Sequence, residues 1–150
     1  MRTGPWEQTI KKLSMVGVNL EVQMAKTMGI EAKRLEKSMR DGIRLKRFNL
    51  ADNKPSTIKA KGSSTPLIDT GDLVNSITSK VISHTTAFAG ILRGAKNKKS
   101  DSLIDIATVN IKGSKKKNIP ARDFITPAIK EREKPFQESV NKVAQGVLRI

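Results

Sequence analysis

The chain has no cysteine, no tyrosine, one histidine, one tryptophan and four phenylalanines in 150 residues. Without cysteine there are no disulfides and no thiolate metal sites. The single histidine, His84, leaves no paired His/Glu spacing for a metal and no Ser/His/Asp arrangement for nucleophilic catalysis. Aromatic residues amount to 3% and are not interleaved with basic ones, which leaves base stacking of the single-strand type unsupported. There is no phosphate loop, dinucleotide fingerprint, zinc finger, basic zipper or helix-turn-helix pattern. No apolar run has the length of a signal peptide or membrane span, so a cytoplasmic origin with no membrane partner is expected. These absences read as a protein that is not an enzyme and carries no cofactor and no metal.

Acidic residues are scarce as well. There are 14 Asp and Glu against 29 Lys and Arg, a net charge of +15. The excess is spread along the chain: 11 basic against 5 acidic residues in 1–50, 8 against 3 in 51–100, and 10 against 6 in 101–150. A charge of this kind attracts polyanions, either nucleic acid or an acidic protein surface, or simply keeps the surface solvated. Any DNA contact would fall on phosphates and be independent of sequence. Hydrophobic residues are only 37%, so one domain with a small core is expected, part of it dependent on neighbouring subunits.

The pattern along the chain predicts an α+β fold: a long N-terminal helix and a C-terminal helix packed on a small antiparallel β-sheet, with long basic loops. It is a single domain, 1–150, divided into a helical 1–48, a loop 49–66, a sheet region 67–125 and a C-terminal helix 126–150. Trp6, Ile10, Leu13, Val16, Leu20, Met24 and Met28 recur at three- and four-residue steps, and Leu35, Met39 and Ile43 continue the stripe after Gly29. Packing of this stripe on the sheet is favoured over a coiled-coil seam, because no clean heptad survives. Gly29 is expected to weaken or bend the helix. Residues 49–66, with Lys54, Lys59 and Lys61, read as a polar loop without regular structure. Residues 77–83 and 86–92 read as strands joined at His84-Thr85, and 103–111 as strand or short helix. Arg93, Lys96, Lys98 and Lys99 make a second basic loop, and Lys112, Lys115, Lys116 and Lys117 a third. In the last helix Thr126 is the expected N-cap and Pro127 the first helical residue, while Pro135 should kink or restart it.

Two motifs stand out. The first is Pro66-Leu67-Ile68-Asp69-Thr70-Gly71-Asp72-Leu73-Val74-Asn75-Ser76-Ile77. There Asp69 or Thr70 would cap a short helix, and Leu73 and Ile77 would face the core. The second is Ile119-Pro120-Ala121-Arg122-Asp123-Phe124-Ile125-Thr126-Pro127-Ala128. Arg122 lies between the rigid Pro120 and a helix start, and is expected either to pair with Asp69 or Asp72 or to stand at a surface or subunit interface.

The first motif closely resembles the "DTG-x-L-x-x-SI" segment of phage virion-morphogenesis proteins, a group that includes the Mu G-like family and the tail-completion (neck) proteins of long-tailed phages. Asp69, Thr70, Gly71, Leu73, Ser76 and Ile77 carry the match. The second resembles the "IPARPF" segment of the same families, through Pro120, Arg122 and Phe124, and the resemblance spans about residues 66–135. Two departures accompany it. Asp123 replaces the second proline, and Ile106 to Gly113 lacks the His and Glu of relatives. The resemblance implies a structural virion protein of the neck, made in the host bacterial cytoplasm. Such a protein forms a homo-oligomeric, hexameric ring between the tail tube or tail terminator and the head connector or portal-side proteins. The basic loops would then meet acidic partner surfaces or DNA phosphates in the channel. The alternatives are a minor tail or tail-tube-associated protein, or a non-specific nucleic-acid-binding module.

Overall fold

A computed structural model describes residues 5–148, with side chains from 6 to 147. The elements in chain order are α1 (Pro5–Arg44), α2 (Pro55–Lys61), α3 (Asp72–Ser76), β1 (Ile77–Ser83), β2 (Thr86–Ile91), α4 (Leu103–Lys112) and α5 (Thr126–Leu148). The architecture is α+β: a two-stranded antiparallel sheet, with the first and last helices packed together and α1 also lying on the sheet. A lone hairpin is marginal in water, so packing on α1 is what sustains this one. Ile77 pairs with Ile91 and Ser83 with Thr86, with one irregularity between Val81 and Ser83. His84 and Thr85 make the turn, and His84 is exposed.

The core gathers Met39 and Ile43 of α1, Leu50, Leu67, Leu73, Val74, Ile77, Leu103, Ala107, Phe124 and Ala128. The 103–111 segment is therefore helical, with Leu103 and Ala107 inward at i and i+4 and Ser102 Oγ accepting from Asp105 N.

Helices α1 and α5 run antiparallel, as their bonds show. Ser38 Oγ donates to Glu131 (2.6 Å), and Ser139 Oγ donates to Glu31 (2.9 Å). Glu31 is buried and also receives Arg132 Nη2 at 2.7 Å and Arg34 Nη1 at 2.6 Å. Burial works against its charged form. The hydrogen bonds from Arg132, Ser139 and Arg34 more than offset that and hold the carboxyl below its ordinary range. The Ser38 hydrogen bond, with help from Arg47, does the same for Glu131.

Several expectations need correction. Residues 49–66 are not structureless. Pro55 opens α2 at its first position, and Gly62 closes it with its N–H on Ile58 O at 2.8 Å. Neither Asp69 nor Thr70 caps α3. Gly71 holds that position at φ 83°, a left-handed conformation costly for a side chain, and no side-chain cap bond is made. Helix α1 runs through Gly29 unbroken. A Cβ there would lie 3.2 Å from Val81 Cγ2, so the glycine makes room for β1. Helix α5 continues through Pro135 rather than restarting, because the Glu131 and Ser139 contacts hold it to α1 on both sides of the proline. Ahead of α5, Asp123 accepts from Ile125 N (2.9 Å) and Thr126 N (3.0 Å), a role expected of Thr126. Burial raises the Asp123 carboxyl, but the Thr126 and Ile125 bonds leave it lowered overall.

The largest correction concerns the α1 stripe. Ile43 is fully buried and Met39 is 1% exposed, but Trp6 is 78% exposed, Ile10 62% and Leu13 65%. Val16, Leu20 and Met24 are half-buried. Forty residues make a helix about 60 Å long. Counting nine residues on from the Ser139–Glu31 contact, α5 ends about level with residue 22 of α1. The first turns of α1 therefore project past the domain.

Candidate functional site: a basic-rimmed cleft between the two motifs

The first motif is anchored from below. Pro66, Leu67, Leu73, Val74 and Ile77 are buried, and Ser76 Oγ donates back to Leu73 O at 2.7 Å. Arg40 of α1 reaches across to the Ile77 carbonyl, its Nε at 3.0 Å, and fixes the junction of α3 with β1. Asp69, Thr70, Gly71 and Asp72 are thereby lifted toward solvent. Thr70 and the backbone N–H of Lys98 hydrogen-bond to Asp72 and hold its carboxyl below the ordinary range. That bond also pins the 93–99 loop beside the motif. Asn97 orders the same loop, its Oδ1 accepting from Lys99 N at 2.9 Å and Asp101 N at 2.8 Å.

The second motif leaves a tight turn. Ser114 and Ile119 exchange backbone bonds at 2.8 and 2.9 Å. Gly113 is needed there at φ 73°, where a Cβ would lie 2.9 Å from Ala121 N and 3.0 Å from Ile119 O. Arg122 N then donates to Asn110 O at 2.7 Å, tying the segment to α4.

The Arg122 side chain does not pair with Asp69 or Asp72. It is buried, and it donates from Nε to Ala51 O (2.7 Å) and from Nη2 to Asp52 O (3.0 Å) and Asn53 Oδ1 (3.2 Å). Desolvation lowers its pKa, and the Asp52 charge partly restores it. Its fork suits two adjacent carbonyls in a way a carboxylate pair was not needed to explain. Asn53, also buried, passes the connection on. Its Nδ2 donates to Thr65 O at 3.2 Å and Ser63 O at 3.3 Å. Arg122 and Asn53 thus close both ends of the segment that carries α2, and so place α2 over the motifs.

The result is a cleft of about 480 Å³ lined by Asp69, Thr70, Gly71, Asp72 and Leu73 from the first motif and Ile119, Pro120 and Arg122 from the second. Lys54, Lys61 and Lys117 stand on it, with Asn53, Asn97 and Asn110 among its polar walls. A shallower depression beside it gathers Lys54, Lys112 and Lys115. No aromatic residue lines either hollow. Among the described residues, no group of three or more His, Cys, Asp or Glu could hold a metal ion, and no helix is long and apolar enough to cross a membrane.

Of the residues singled out in sequence, Asp69, Thr70, Gly71, Leu73, Pro120, Arg122 and Lys117 meet in the cleft, and Lys112 and Lys115 meet beside it. Ile77 and Phe124 belong to the core, and Ser76 caps the end of α3. Arg93, Lys96, Lys98, Lys99 and Lys116 are exposed but do not line the cleft. Lys54, Lys61 and Asn53 were not singled out as site residues. The bracketing Pro55 and Gly62 were the available signal that these lysines stand at the two ends of a helix.

Against known proteins, the chain matches no family model, no curated protein and no solved structure. The likeness to virion-morphogenesis proteins accordingly stands on the two motifs alone.

Proposed function

We propose that the protein is a structural virion component of a tailed phage. In this reading it is a tail-completion or neck protein whose copies form a ring, hexameric by resemblance, between the tail tube or terminator and the head connector. It would be made in the host cytoplasm and end in the virion neck. The supporting observation is that the two motifs, distant in sequence, line one cleft whose rim carries Lys54, Lys61 and Lys117. A cleft with polar walls and ammonium groups suits an acidic segment of a docking partner. The amides of Asn53, Asn97 and Asn110 would fix that segment's backbone, and the lysines its carboxylates. No proton-transfer or nucleophilic step is assigned to it.

The test is head-tail joining with purified heads and tails lacking this protein. Wild type should restore joining. Lys54→Glu/Lys61→Glu/Lys117→Glu should fold normally and restore at most a tenth as much. Full joining by the triple variant would remove the cleft from the mechanism, and no joining by wild type would sink the neck reading. A non-specific nucleic-acid module is the second reading, favoured by the +15 charge and the exposure of every lysine in the three basic loops. It requires duplex binding that weakens steeply with salt.

A further inference from the structure

The projecting part of α1 has a composition unlike the rest of the chain. Residues 13–20 carry no charge, in a protein that is 29% charged. Its apolar side chains are not confined to one stripe. Met15, Val18 and Val22, at i, i+3 and i+7, are each at least 60% exposed. They lie roughly across the helix from Trp6, Ile10 and Leu13. A helix that is apolar on two sides is built to be surrounded. Its own domain cannot do this, because α1 is one continuous helix that carries these residues away from the core.

The same chain offers a matching concavity. A groove of about 460 Å³ runs between α1, α5 and β2, mostly apolar, with Leu35, Ala87, Ala89, Ile129 and Phe136 among its walls. Ile129 and Phe136 are exposed there although their helix packs on α1. The charges are complementary too. Lys11 flanks the Met15–Val18–Val22 face, Glu133 flanks the groove, and neither makes an ion pair among the described residues. Two copies at +15 each repel, so contact is favoured where the charge is lowest. A concave groove also covers more of the helix circumference than a second convex helix does, which disfavours two-fold pairing of the projections.

We propose that the groove of one copy receives the Met15–Val18–Val22 face of α1 from another, joining copies head to tail. Such a contact is heterologous and builds rings or open chains rather than closed dimers. It deepens the ring reading above, and rests on it.

The absence of native cysteine makes the test clean. Val18→Cys and Phe136→Cys proteins, mixed and mildly oxidised, should give a mixed dimer within minutes. Ala87→Cys serves in place of Phe136→Cys if that variant folds poorly. The Val18→Cys/Phe136→Cys double variant should give a ladder beyond the dimer. Glu133→Lys should cut the mixed product at least threefold at low salt, and Lys11→Glu in the other partner should restore it. Failure of the mixed cross-link, self-cross-linking of Val18→Cys as efficient as the mixed reaction, or monomers whose projection is taken up only by anionic vesicles would each overturn the contact. Cross-linking of purified copies tests this contact alone, and head-tail joining tests the neck reading alone, so the two can fail separately.

Discussion

The two halves of α1 share one apolar periodicity and meet opposite fates. From Met28 to Ile43 the stripe is sealed by the hairpin, α5 and the segment after α1, and Met39 and Ile43 lose essentially all contact with solvent. From Trp6 to Leu13 the same spacing faces water, and at Val16 and Leu20 it is only half-buried. The difference lies in neighbours and not in local sequence. Periodicity states where a helix can be covered; only the reach of α5 and the hairpin decides where this chain covers it.

The largest contrast is expected on truncating equivalent positions in each half of α1. Ile43→Ala should lower unfolding free energy by about 2–5 kcal/mol, as for other buried aliphatic side chains. Leu13→Ala should change it by less than about 0.5 kcal/mol in dilute monomer, as at exposed sites. Urea melts of both report the contrast directly, and equal losses would contradict it.

Next in size comes a glycine. In the buried half, a Cβ on Gly42 would lie 1.8 Å from Phe48 Cε2. Gly42→Ala should therefore displace that ring and destabilise by about 1–3 kcal/mol, the usual range for overpacking. An unchanged melting temperature would mean that Phe48 is not held there.

Glu31 marks the start of the region where α5 secures α1. Glu31→Gln weakens the bonds from Arg132, Arg34 and Ser139 and should remove about 1–3 kcal/mol at neutral pH. The sign with pH follows from its lowered folded pKa. The stabilisation is fully present above the unfolded value of about 4.5 and is lost as pH falls through the lower folded value. Glu131 and Asp123 act in the same direction. The variant should therefore show a shallower loss of stability between neutral pH and about pH 3 than wild type, measured by denaturant midpoint.

The smallest effect is expected in the projecting half. A Cβ on Gly17 meets nothing within 4 Å. Gly17→Ala should strengthen the local helix by up to about 1 kcal/mol. Amide exchange should slow around residue 17 while the global melt hardly moves. A global shift as large as that of Gly42→Ala would show that the two halves unfold as one.

These contrasts bear on what sequence can say. The hairpin was legible because β-branched and aromatic residues (Ile77, Thr78, Val81 and Ile82 before it, Thr86, Phe88 and Ile91 after it) flank the turn at His84-Thr85, and α1 because its stripe is long. Helix α2 was hidden: it is short, with Ile58 its only large apolar residue, so periodicity is silent, and only Pro55 and Gly62 bracket it. The cleft was half legible. Asp69 to Asp72 and Pro120 stood out as motifs, but nothing in sequence joins Arg122 to its acceptors. Two of these are backbone carbonyls, at Ala51 and Asp52, and a carbonyl carries no residue identity. Of the two expectations for Arg122, a carboxylate partner is not what the structure shows, and a surface position is excluded by its burial. Gly29 misled for a related reason, since the need for space beneath Val81 exists only once the chain has folded.

What matters most is whether the exposed half of α1 is covered by another copy of the chain. The decisive measurement is the absolute mass by light scattering, at low and high salt, of wild type beside Leu13→Glu/Val18→Glu. An assembly of several copies, near six, that the double variant reduces to monomers is the predicted result. Wild type that stays monomeric at about 100 μM in both salts would contradict it, as would a variant that assembles unchanged.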